Sequence, residues 1–146
     1  MRTSDVAELA LGRARRWLRG AQVALKDERW DDAVYAAQMC SEHAAKAILI
    51  SMGIEFPKRH DVSGVFATLS ERAGLPAWFT SKVDATAKAL EELASERAMA
   101  GYGFEEGVDV ESFKDYAPEA VEKAENILSL CSRLVRSLFG KRGQRP

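Results

Sequence analysis

Pro118-Glu119-Ala120-Val121-Glu122-Lys123-Ala124-Glu125-Asn126-Ile127-Leu128-Ser129-Leu130-Cys131-Ser132-Arg133-Leu134-Val135-Arg136-Ser137-Leu138 is the stretch that decides the fold. Val121, Ala124, Leu128, Cys131, Val135 and Leu138 recur at alternating steps of three and four. That spacing lines one face of a helix and makes the seam of a bundle. Pro118 suits the first turn, where its missing N–H has no intrahelical partner to lose. A seam of this length has to be buried, so it calls for helical neighbours.

Upstream segments supply them. Residues 4–26 read as a first helix, with Val6, Leu9, Trp17, Val23 and Leu25 as its larger apolar groups. A second opens with Asp31 or Asp32 as cap and runs to about Met52, closed by Gly53. Its main stripe is Val34, Ala37, Ser41, Ala45, Ile48 and Met52, but Ala36, Met39, Cys40, Ala47 and Ile50 make the other side apolar too. A helix apolar on both sides belongs in the middle of a bundle or under a partner. Asp61 or Ser63 starts a short third helix to Leu69, and Gly74-Leu75-Pro76 interrupts. The fourth opens near Thr80, where Ser81 and Asp84 match a capping box, and continues past Arg97. Residues 101–116, with three glycines, read as irregular. No useful strand-like alternation and no internal repeat occur. The expected fold is all-α, an antiparallel up-and-down bundle of four to five helices. One domain is expected over residues 1–140, followed by a basic tail at 141–146.

Composition narrows the class of protein. At 146 residues, with 47% apolar and 29% charged side chains, the chain is ordinary for a single folded domain. No stretch approaches the roughly 18 apolar residues that span a bilayer, and Asp5 and Glu8 spoil a signal peptide. A cytoplasmic protein without membrane attachment is expected. The two cysteines, Cys40 and Cys131, sit in apolar helical stretches and read as buried thiols. Net charge is −1 but uneven: residues 1–30 carry seven basic and four acidic groups, 31–130 nine and eighteen, 131–146 five and none. Basic ends either touch a phosphate backbone or are solvated.

Arg97 is the residue that stands out. It falls in line with Val83, Leu90 and Ala94 on the core-facing stripe of its helix. A guanidinium there needs a partner or a wet cleft. Tyr102 follows within Gly101-Tyr102-Gly103, where the helix is expected to end. Two readings stand: a structural ion pair with a carboxylate, or a phosphate contact, for which arginine's planar fork and the tyrosine hydroxyl and ring are suited. Glu42 and Lys46, four apart, make a helix-surface ion pair, or else Glu42 or Gln38 holds Arg97. His60, before Asp61 at a helix start, has a local structural role or helps shape the cleft; His43 faces away from its helix's main stripe. Phosphate-cradling glycine loops, zinc spacings and Ser-His-Asp arrangements are not recognisable, so neither metal nor cofactor is expected.

Trp30-Asp31-Asp32-Ala33-Val34-Tyr35-Ala36-Ala37-Gln38, Glu42-His43-Ala44-Ala45-Lys46-Ala47, Lys58-Arg59-His60-Asp61-Val62, the Arg97 to Gly103 segment and Tyr116-Ala117-Pro118-Glu119-Ala120-Val121-Glu122-Lys123-Ala124, in this order and spacing, resemble the HEPN family (higher eukaryotes and prokaryotes nucleotide-binding domain). The resemblance implies a helical bundle that dimerises. It also implies RNA-cleaving toxins, often paired with a small nucleotidyltransferase that neutralises them. The family site lies where two protomers meet and uses an arginine followed after four to six residues by a histidine. Arg97 matches the arginine, Ala98 replaces the usual polar neighbour and Tyr102 stands in the histidine's place. Phe104 occupies the position of a tyrosine that the partner enzyme modifies with AMP in some members. A phenol, with an ordinary pKa of about 10, exchanges protons near neutrality far less readily than an imidazole. The resemblance therefore implies a dimeric nucleotide- or RNA-binding domain. Arg97 and Tyr102 would hold phosphate, Glu42, Lys46 and His60 would shape the cleft, and a nucleotidyltransferase would be the partner. Two alternatives are a metal-independent ribonuclease with Tyr102 in the histidine's role, and a non-catalytic interaction module.

Overall fold

Alanine decides how closely the helices approach. The computed structural model describes residues 1–143, so residues 144–146 of the basic tail lie outside the described residues. It contains α1 (Thr3–Lys26), α2 (Trp30–Ser51), α3 (Ser63–Ala67), α4 (Ala77–Thr80), α5 (Val83–Tyr102) and α6 (Tyr116–Gly143), with 3-10 turns at Thr68–Glu71, Gly103–Glu106 and Val110–Phe113. The four long helices, α1, α2, α5 and α6, form the bundle. Side chains no larger than a methyl group at Ala33, Ala37, Ala44, Ala45 and Ala47 let neighbours press on α2 from several directions. Accordingly α2 packs against α1, α5 and α6 and is the central helix that its two apolar sides imply. All four are antiparallel to their chain neighbours in the bundle: Trp17 of α1 meets Tyr35 of α2, Gly101 of α5 lies against the same Tyr35, and Glu92 of α5 meets Lys123 of α6.

α1 reaches the core with small groups. Ala7, Leu11, Ala14, Ala21 and Ala24 are buried, whereas Val6, Leu9 and Val23 are exposed. Cys40 on α2 and Cys131 on α6 are free and buried. Burial, with a smaller push from Glu125, raises the Cys40 thiol to about 12, and burial also pushes Cys131 up. Neither is a ready nucleophile near neutral pH.

Three local expectations are corrected. Asp31 and Asp32 do not cap α2: the residue before the helix is Arg29, without a side-chain cap, and both aspartates stand in the first turn. There their charge favours the helix N-terminus, and Arg29 clasps Asp32 at 2.7 Å. The Ser81–Asp84 box does not form, because α4 is a separate turn and α5 starts after Lys82. The break lets Phe79 of α4 and Val83 of α5 both be fully buried. Phe79 meets the edge of Phe66 at 6.0 Å. Finally, residues 101–116 are not irregular throughout: α5 ends at Tyr102, inside Gly101-Tyr102-Gly103 as expected. Residues 103–113 then hold two 3-10 turns rather than irregular chain. Gly103 is required there by space, since a Cβ would sit 2.9 Å from that of Val108. Gly107 is required by its left-handed backbone, φ 83°.

Candidate functional site

One side of α2 organises the polar groups. Tyr35, Gln38, Glu42 and Lys46 follow at steps of three, four and four, a row about 16 Å long at about 1.5 Å per residue. At the Tyr35 end, Arg97 arrives from α5. It is 7% exposed. Its Nη2 donates to the Tyr35 hydroxyl at 2.9 Å, and its guanidinium carbon lies 4.5 Å from the centre of the Tyr35 ring. Its Nε is buried with no hydrogen-bond partner. Among the described residues no carboxylate lies within ion-pairing distance of Arg97. Among the described residues, the positive charge is therefore met only by the Tyr35 hydroxyl and ring face.

Neither Glu42 nor Gln38 bonds to Arg97. Glu42, buried further along the row, accepts from Lys46 Nζ at 2.7 Å, from His60 Nδ1 at 2.8 Å and from Gln38 Nε2 at 3.2 Å. Gln38 Nε2 also donates to the His60 carbonyl at 3.0 Å, while its own Oε1 is buried without a partner. Because a carboxylate only accepts, the His60 Nδ1 carries the proton, and the imidazole is half exposed. Burial pushes the Glu42 carboxyl up, but hydrogen bonds from Lys46, His60 and Gln38 outweigh it and hold the carboxyl below its ordinary value of 4.5. A lowered folded-state value stabilises the fold above the unfolded value, and that stability is lost as pH falls through the folded one. Glu42→Gln is thus expected to cost about 2 kcal/mol at pH 7, the size of charge-assisted hydrogen bonds. Its thermal midpoint should approach that of the parent on titration from pH 5 towards pH 3. A gap independent of pH would contradict the lowered carboxyl.

Tyr102 stands apart from Arg97. Five residues on and about 140° round the helix, it is 61% exposed and makes no hydrogen bond or ring contact with Arg97. Met99, Phe104 and Val110, in the same part of the chain, are exposed apolar side chains as well. So the structure gathers Glu42, Lys46 and His60, brings Arg97 from α5 to the Tyr35 end of the α2 row, and leaves Tyr102 exposed and apart from Arg97. Tyr35, the group that actually holds Arg97, was missed as a site residue. Its position three before Gln38 and seven before Glu42 was the available signal. A groove of about 590 Å³ also runs between α5 and α6, where Arg133 stacks on Trp78 at 3.8 Å.

No group of three or more His, Cys, Asp or Glu residues suited to a metal ion occurs among the described residues, and none of their helices is long and apolar enough to cross a membrane. The chain is 32% identical over 139 residues, covering 92% of itself and 91% of its relative, to a protein of Methanocaldococcus jannaschii named "Putative toxin MJ1304". The crystal structure of TT1696 from Thermus thermophilus shares the fold with a TM-score of 0.69 at 24% identity, over 87% of this chain and 96% of that one. So does ST0689, described as an archaeal HEPN homologue, with a TM-score of 0.65 at 23% identity, over 88% and 97% of the two chains. The sequence model of the HEPN domain matches residues 7–134. On that match, and with this helical bundle, the chain belongs to the HEPN family.

Proposed function

We propose that this HEPN chain is a toxin-like protein that binds single-stranded RNA, with Arg97 taking a backbone phosphate. The observation that carries this is the buried guanidinium with no anionic partner of its own. A buried cation costs several kcal/mol unless paired, so a bundle that keeps one gains from it only when an anion arrives. A phosphate oxygen would accept from the Nη donors that the Tyr35 hydroxyl does not use, in the charge-assisted geometry arginine favours. Tyr102 adds a hydroxyl and a ring at the rim, and Glu42, Lys46 and His60 shape the cleft along the α2 row.

The chain acts as a homodimer in this reading. The exposed Met99, Tyr102, Phe104 and Val110 beside the end of α5 are an apolar area that a second copy would cover, bringing two such rims together. The relative's name supports a toxin-like role. In that setting the neutralising partner is a small nucleotidyltransferase, and the pair works in the cytoplasm.

RNA cleavage is a second reading, and His60 favours it. Its imidazole is oriented by the buried Glu42 carboxylate, a pairing that suits proton transfer. One experiment separates them: the purified protein is incubated with a labelled single-stranded oligoribonucleotide, and both complex and fragments are measured. Binding with an intact oligonucleotide supports the first reading. Fragments formed by the parent, and lost in Tyr102→Phe or His60→Gln, establish the second. Absence of both complex and fragments removes both readings.

A further inference from the structure

α5 and α6 run antiparallel, yet each meets α2 far more than it meets the other. The space they leave is the groove of about 590 Å³, and none of Tyr35, Gln38, Glu42, Lys46, His60 or Arg97 lines it. Its apolar lining is aliphatic: Ala85 and Ala89, one turn apart on α5, with Ile127 and Leu130 on α6. Its length follows from the register of the two helices. Lys123 of α6 reaches Glu92 of α5 at 2.9 Å. Ten positions on along α6 and ten back along α5, Arg133 therefore stands level with Lys82. The groove thus runs for about 15 Å, at about 1.5 Å per residue, close to three turns of a helix.

The two ends differ in charge. Lys123 is satisfied, since Glu119 also lies 2.8 Å from its Nζ. At the far end Lys82 and Arg133 are exposed, and neither has a carboxylate partner among the described residues. No Asp or Glu lines the groove. Arg133 is also held in place, its guanidinium carbon 3.8 Å from the centre of the Trp78 ring. Stacking fixes the plane of the guanidinium and leaves its N–H edges for a carboxylate, which accepts from two of them at once.

These features select one kind of occupant. An aliphatic trough between two helices takes apolar side chains at helical spacing, while acidic side chains of the same helix meet Lys82 and Arg133. A nucleic-acid strand finds cations here but no aromatic ring among the lining residues to stack on. A second copy does not supply the helix. On α1 the exposed Leu9 is followed by Arg13 and Arg16 at steps of four and three, so its exposed face repels Lys82 and Arg133. Phe104 and Val110, although beside Glu105, Glu106 and Glu111, sit in 3-10 turns of four residues, too short to fill the groove.

We propose that the groove between α5 and α6 docks an acidic amphipathic helix of about three turns from a partner protein, its apolar side on Ala85, Ala89, Ile127 and Leu130 and a carboxylate on Arg133. The site is independent of the RNA reading and goes beyond it.

The probes are two labelled helical peptides of about fifteen residues with leucines along one face, one flanked by glutamates and the other by lysines at the same positions. Each is titrated into the parent, Ala85→Glu and Arg133→Gln. Ala85 is exposed in the first turn of α5, where an acidic side chain favours the helix. Ala85→Glu therefore keeps the fold and places a repelling charge in the groove. The parent is expected to bind the glutamate peptide at least tenfold more tightly than the lysine peptide (about 1.4 kcal/mol). Each variant, with unchanged circular dichroism, should lose at least tenfold for the glutamate peptide and bind a single-stranded oligoribonucleotide as the parent does. A parent that binds the glutamate peptide but no RNA supports the groove while removing the RNA reading. Equal affinity for the two peptides, no binding of the glutamate peptide, or a variant that binds it like the parent overturns the proposal. An oligoribonucleotide that displaces the peptide overturns it too, because the groove is then a nucleic-acid surface.

Discussion

Arg97→Met is expected to abolish RNA binding and, in the same protein, to raise thermal stability. The two effects share one cause. Arg97 is buried, and its charge is met only by the Tyr35 hydroxyl and ring. The hydrogen bond is worth about 1 kcal/mol and the ring contact about 1 kcal/mol. Desolvation of the guanidinium costs several kcal/mol even after relaxation, and replacing buried charges by apolar groups of similar volume is often stabilising by 1–4 kcal/mol. The balance favours methionine by about 1 kcal/mol, a rise of about 4 °C in a domain of this size. For RNA the sign is opposite. Two charge-assisted hydrogen bonds of about 1.5 kcal/mol each are removed, which is about a hundredfold in affinity. Calorimetry and a binding titration on the one variant check both. A destabilised Arg97→Met would mean that the arginine is a structural strut.

Phe79→Ala is expected to be the most damaging single truncation. Phe79 lies on the four-residue helix α4, is fully buried, and touches Phe66 and Trp78 edge-on at 6.0 and 6.3 Å. Truncation of a buried phenylalanine costs about 3–5 kcal/mol, a large share of the 5–15 kcal/mol typical of a whole domain. The effect should be high in that range, because α4 is a single four-residue turn and loss of the Phe79 ring leaves a cavity beside Phe66 and Trp78. Urea unfolding monitored by circular dichroism gives the figure. A loss below about 1 kcal/mol would show that α3 and α4 are a loose flap rather than the closing end of the core.

The long helices were legible in the sequence because their signals are periodic. The α6 seam is read directly, and the two-sided apolar character of α2 places it at the centre before any coordinate is known. Arg97 is legible for the same reason: it follows Val83 and Leu90 at intervals of fourteen and seven on one stripe. What was not legible depends on contacts between distant segments. Tyr35 meets Arg97 only because α5 runs antiparallel to α2 in one register, and no local pattern reports that. Glu42, with a lysine four residues on, looked like a surface pair, yet it is buried under a loop that delivers His60 from outside the helix. At Ser81 a sound local capping signal lost to the burial of Phe79 and Val83. On α1 Val6, Leu9 and Val23 point outward while Ala7, Leu11, Ala14, Ala21 and Ala24 are buried and Trp17 and Leu25 are partly buried against the core, a division the spacing of its large apolar residues does not report. Gly103 is a glycine because Val108 folds back on it, a contact no spacing rule supplies.

The most direct test of an unneutralised Arg97 is the thermal midpoint of the parent and of Arg97→Met, each with and without saturating single-stranded oligoribonucleotide. A ligand that binds only the folded state stabilises it by about 2.7 kcal/mol at a hundred times its Kd. The parent should start lower and climb by several degrees with RNA, whereas Arg97→Met should start higher and stay where it is. A parent that RNA does not stabilise, or an equal climb in the two proteins, would contradict a guanidinium kept for a phosphate.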